Sequence, residues 1–74
     1  MSIHAEIIGL YESHGQTYPL PRMCAIVENE SAAELWAREE ANYLSARFGW
    51  TITQLGLVDY NQTTGTERVI ERII

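Results

Sequence analysis

Ser31-Ala32-Ala33-Glu34-Leu35-Trp36-Ala37-Arg38-Glu39-Glu40-Ala41-Asn42-Tyr43-Leu44-Ser45-Ala46-Arg47-Phe48-Gly49 is the stretch on which the fold turns. Ser31 and Glu34 have the S-x-x-E spacing of a capping box, in which a hydroxyl and a carboxylate satisfy the free amides at a helix start. Ala33, Ala37, Ala41, Leu44 and Phe48 then recur every three or four residues, with Trp36 at the margin, and form one apolar stripe. Gly49 follows directly and takes the left-handed conformation that ends helices. The spacing predicts a helix over residues 32–48 whose stripe faces a sheet.

On both sides of this helix the apolar period changes to two. Ile3 to Tyr11 reads as a first strand, with Ile3, Ala5 and Ile7 on one face and Ile8 and Leu10 on the other. Gly9 suits a bulge within it. Tyr18-Pro19-Leu20-Pro21 lacks two amide donors, so Glu12 to Pro21 reads as a long connection with His14-Gly15 at its tip. Met23 to Glu28 reads as a second strand. Trp50 to Tyr60 reads as a third, its alternation slipping at Gly56. Asn61 to Gly65 has turn composition.

Residues 66–74 admit two readings. As a helix, Val69, Ile70, Ile73 and Ile74 separate cleanly from Glu67, Arg68, Glu71 and Arg72, whereas a strand mixes both faces. Four β-branched aliphatics, a preceding turn of hairpin length and the cost of nucleating so short a helix favour the strand. The expected layout is α+β: a small antiparallel sheet in β-β-α-β-β order with one helix packed across one face.

Length and charge bound the function. At 74 residues, the chain is a single small domain, residues 1–74, of a size that buries only about 60% of its unfolded surface. Met1 to Tyr11 has no basic start ahead of a long apolar centre, so no secretory signal is expected there. The longest uncharged apolar run, Ile7 to Tyr11, falls far short of the ~20 residues that span a bilayer. The lone Cys24 makes no intramolecular disulfide, and a reducing cytoplasm is the compartment that fits. Five arginines dispersed among ten acids give a net charge of −5, which disfavours direct nucleic-acid binding. Only if residues 66–74 form a strand do Arg68 and Arg72 share a face for a local contact.

Catalytic and metal chemistry find little support. His4, His14 and Cys24 are the only soft ligands, ten residues apart each time, against the roughly four that a structural zinc needs. Cys24 lies in the apolar run Met23 to Val27, where an inert buried thiol is the plain expectation. The glycines at 9, 15, 49, 56 and 65 stand singly, and none forms a phosphate-binding loop. A sheet under one helix leaves little room for a cleft that would shift carboxylate pKa values. No enzyme, cofactor or metal is expected.

The acids carry more information. Glu28, Glu30, Glu34, Glu39 and Glu40 fall within thirteen residues, interrupted only by Arg38. Helix dipoles favour acids in a first turn, but Glu39 and Glu40 lie beyond it. Leu35 projects opposite the stripe beside Glu39 and Asn42, with Trp36 and Tyr43 at the flank. An exposed leucine among acids, edged by aromatics, has the composition of a protein interface. Leu35, Trp36, Glu39, Glu40, Asn42 and Tyr43 are therefore the expected partner-binding residues.

The passage Ala25 to Glu34, the alanine-rich helix and the Gly49-Trp50 entry to the third strand together resemble small, acidic, phage-encoded anti-CRISPR-type proteins in layout and size. The resemblance covers about residues 23–60 and carries over no functional residue. It implies a non-enzymatic inhibitor, in the host cytoplasm, that occupies a basic nucleic-acid-binding surface of a host complex. The alternative is a self-associating, antitoxin-like module that uses Val69, Ile70, Ile73 and Ile74 as a homodimer seam.

Overall fold

A computed structural model describes residues 2–61 and 64–74. The elements are β1 (Ile3–Ser13), β2 (Gln16–Pro19), β3 (Met23–Val27), α1 (Glu30–Phe48), β4 (Thr51–Asn61) and β5 (Thr66–Arg72). All pairings are antiparallel, and one helix lies on the sheet, as in the expected α+β class. The order is β-β-β-α-β-β, one strand more than the sequence reading.

The additional strand is β2, inside what reads as a long connection. Ser13 pairs with Gln16 around a two-residue turn in which His14 and Gly15 both have positive φ, 52° and 77°, as a hairpin of matching twist requires. Pro19 is tolerated because it is the last residue of a short edge strand, where a missing amide donor costs no ladder bond. The Leu20 amide then donates to the Gly9 carbonyl at 3.0 Å, and β3 resumes along the other half of β1 with its register slipped by one residue. The two prolines thus break one long edge into two rather than abolishing it.

β1 is central, with β4 on its other side and β5 beyond. A Cβ on Gly9 would fall on the Gln54 carbonyl and within 2.9 Å of Leu20, so close backbone approach explains the glycine. The bulge lies just past it: the ladder shifts between Leu10 and Tyr11, Thr53 is the extra residue of β4, and its hydroxyl donates to the Leu10 carbonyl at 3.3 Å. That extra residue keeps both Ile52 and Leu55 on the helix side.

The helix starts two residues earlier than the capping box predicts. Asn29, extended at φ −158°, is the N-cap, and its Oδ1 accepts from the Ala32 amide at 2.8 Å. Ser31 is instead an exposed residue of the first turn. Gly49 closes the helix as expected, at φ 72°, with its amide donating to the Ser45 carbonyl at 2.9 Å. Ala33, Ala37, Ala41 and Leu44 are buried. Three alanines let the helix sit close on Ala5, Ile7, Leu55 and Leu57, and burial of each large aliphatic there contributes roughly 1.5–3 kcal/mol.

Phe48 departs from the expected stripe and is exposed. It stacks on Trp50 at 4.8 Å, Trp50 on Tyr11 at 3.8 Å, and Tyr11 on Tyr18 at 5.4 Å. β1 and β4 run on past the buried turns of α1, and this row of rings covers the sheet there.

Residues 66–72 are a strand, and a bulge resolves its mixed faces. The ladder shifts between Leu57 and Val58 because Ile70 is an extra residue of β5. Ile70 and Ile73 therefore reach the core, while Val69, opposite Val58, points to the other side. The four apolar residues of the expected dimer seam are thus divided. Arg68 pairs with Asp59 on the helix side and Arg72 with Gly56 on the other, so the two arginines do not share a face. The turn expected over Asn61–Gly65 is described only at its ends, and residues 62 and 63 lie outside the described residues.

Candidate interaction surfaces

Two surfaces flank the sheet, and the first is the outer face of α1. The stripe that seats the helix fixes which residues point away from it. Leu35 is 60% exposed and Tyr43 58%, with Glu39 and Asn42 exposed between them. Trp36 is half-buried and packs on the core, which pins one aromatic edge of the patch. Glu40 is half-buried on that same flank. The six residues expected from the sequence therefore share one continuous side of the helix.

Electrostatics separate the acids of α1 into two groups. Glu30 is held by Arg68 at 3.2 Å, and Arg68 also reaches Asp59 at 3.4 Å. Glu34 accepts from both Arg38 Nε and Nη2, at 3.1 and 2.9 Å. That guanidinium, and then a hydrogen bond shared with Glu71, hold Glu34 below the usual carboxylate range. The same shared bond, with partial burial and the Glu34 charge, pushes Glu71 up. Glu39 and Glu40, by contrast, enter no ion pair among the described residues. Their charge is available to a partner.

The second surface is the side of the sheet that α1 leaves uncovered. Residues in register with Val58 point there: Glu6 from β1, Cys24 from β3 and Val69 from β5. Ile26 is 68% exposed, Val69 67%, and Ile8 and Ile74 about half. Gly56 carries no side chain, and an open hollow of about 380 Å³ forms over it between Ile8, Leu10, Val69 and Ile74. Among the described residues Glu6 is the one buried charged residue, and its carboxylate meets Arg22 Nε at 2.8 Å.

Cys24 is exposed on this face rather than buried in the core. An apolar strand reads as interior only if both its faces are covered, and β3 has one face open. The neighbouring Cys24 side chain and the Glu6 charge hold the Arg22 guanidinium above its ordinary pKa. Among the described residues no hydrogen bond joins Cys24 to a histidine, and His14 stands at the distant hairpin tip. No group of three or more His, Cys, Asp and Glu among them is arranged to hold a metal ion. No helix among them is long and apolar enough to cross a membrane.

Charge is sorted between the two sides. The helix side carries Glu30, Glu34, Glu39, Glu40, Asp59 and Glu71 against Arg38, Arg47 and Arg68. The uncovered side carries Glu6, Glu12 and Glu67 against Arg22 and Arg72, a surplus of one acid, and Glu28 lies in the bend between β3 and α1. Sequence reasoning finds the first surface from helical periodicity. It misses the second, whose signal is Ile8, Ile26 and Val69 alternating out of phase with the core residues. No protein-family model matches the chain, and no curated protein or solved structure matches it at a significant level.

Proposed function

We infer that the chain is a non-catalytic protein-binding inhibitor that sets the outer face of α1 against a basic surface of its partner. The observation that carries this reading is two carboxylates, Glu39 and Glu40, that enter no ion pair among the described residues, beside the exposed Leu35 and Tyr43 on a helix fixed by its buried opposite side. Apolar and aromatic groups supply anchors that lose water on docking, and surrounding acids steer the encounter. A basic, nucleic-acid-binding surface is the kind of partner this chemistry suits, in keeping with the layout resemblance to anti-CRISPR-type inhibitors. Asn42 adds a hydrogen-bonding group between the anchors.

The test begins with capture of partners on immobilised parent protein and identification by mass spectrometry. Parent protein then competes with nucleic acid for the captured partner. Glu39→Arg with Glu40→Arg should slow association about tenfold or more and alter its salt dependence, whereas Leu35→Ala should mainly speed dissociation. Both variants should keep the parent's fold, because Leu35 and Glu39 are exposed and the half-buried Glu40 makes no ion pair among the described residues. Parent-like binding and competition by both variants would contradict the reading.

A further inference from the structure

The uncovered side of the sheet calls for an occupant of its own. It holds exposed Ile26, Val69, Ile8 and Ile74, a hollow of about 380 Å³ over Gly56, and a buried Glu6 neutralised by Arg22. Ile8, Val69 and Ile74 gather around the hollow, Ile26 stands across the Glu6–Arg22 pair from them, and exposed apolar groups with polar neighbours mark interfaces. From this arrangement we propose that the face is closed by a second copy of this chain, giving a dimer of two sheets packed face to face with a helix on each outside.

Three features select a second copy. Charge is the first: the nearly balanced uncovered side lets two copies approach there, while the surplus acids stay on the outer helices. Area is the second. The molecule's longer dimensions, 39 and 21 Å, bound a face of the same order as the ~800 Å² that each partner gives a standard-size interface. The third is shape. A two-fold interface must be self-complementary, and this face offers both a projecting aliphatic, Ile26, and an apolar hollow, walled by Ile8, Val69 and Ile74, to receive it. Face-to-face sheets pack about 10 Å apart by interdigitating such side chains. The dimer would display two copies of the α1 outer face, yet it stands independently of the function read from that face.

Sedimentation equilibrium tests it directly. The parent should reach twice its 8.4 kDa mass at micromolar concentration. Ile26→Glu combined with Val69→Glu places four uncompensated carboxylates in the dimer seam and should weaken association at least about a hundredfold, leaving a folded monomer. Both positions are mostly solvent-exposed in the single chain, so circular dichroism should match the parent. Ser45→Glu adds charge on the exposed helix side and should leave the dimer intact. The Cys24 thiol offers a second readout: its labelling should slow as parent concentration rises and stay fast in the double variant. A parent that remains monomeric at hundreds of micromolar, a dimer unaffected by the double variant, or labelling independent of concentration would each overturn the proposal.

Discussion

The two sides of one sheet have opposite characters although they are built from the same strands. On the helix side, Ala5, Ile7, Leu55 and Leu57 meet Ala33, Ala37 and Ala41, and every one of these is buried. On the other side, Val58 and Glu6 are buried, but Ile8 and Ile26 stay exposed, and the Arg22 that pairs with Glu6 is itself mostly in solvent. Period-two alternation assigns residues to faces, and the helix builds the larger core on one of them, while Val58 on the other is buried without it. The contrast teaches that fold stability and association draw on different apolar residues of the same strand.

Substitutions can break or sharpen that contrast, and the largest effect falls on the helix side. Leu57→Ala should cost about 2–5 kcal/mol in chemical denaturation, as removal of a fully buried leucine leaves a cavity. At concentrations low enough to keep the parent monomeric, Val69→Ala should cost less than about 0.5 kcal/mol. Equal costs at the two positions would erase the distinction. Next comes Ala37→Leu, which thrusts three carbons into the seam between helix and sheet and should destabilise by about 1–3 kcal/mol. Asn29→Ala removes the hydrogen bond to the Ala32 amide and should lower stability by about 0.5–2 kcal/mol, whereas Ser31→Ala should be nearly silent. A larger loss at Ser31 than at Asn29 would restore the capping-box frame.

The smallest effect concerns pH. Glu71 binds its proton more tightly in the folded chain, so its contribution is present at low pH and fades as pH rises through its raised value. Glu34 contributes in the opposite sense: its part is present at higher pH and fades as pH falls through its lowered value. Glu71→Gln keeps a donor for Glu34 and discards the like charge. Its melting temperature should match the parent at about pH 4 and exceed it slightly at about pH 7. A deficit at the higher pH would mean that the shared hydrogen bond is misassigned.

How far the sequence announces all this depends on the residue. The alanine stripe and Gly49 reveal α1 and its seat, because a helix that packs closely needs small side chains at a helical period. The cap frame is ambiguous, since Asn and Ser side chains are both good caps and Asn29 and Ser31 stand only two positions apart. β2 is hidden by Pro19 and Pro21, whose missing amides matter only where a strand has neighbours on both sides. His14-Gly15 is the signal that a tight hairpin lies there. In β5 no single alternation accounts for Ile70, because the bulge that turns it inward is set by pairing with β4. Leu35, Glu39, Asn42 and Tyr43 are legible as one outward face because helical geometry is local. Ile26 and Val69 are not, since their exposure depends on what fails to cover a sheet assembled from distant segments.

The separation of roles between the two sides is tested most directly by the thermal midpoint of the parent as a function of its own concentration. Association of folded chains stabilises them by mass action, and the midpoint then depends on concentration. The account predicts a midpoint that climbs across a hundredfold range in the parent and stays flat in the Ile26→Glu, Val69→Glu variant. A parent midpoint independent of concentration, equal to that of the variant, would contradict it.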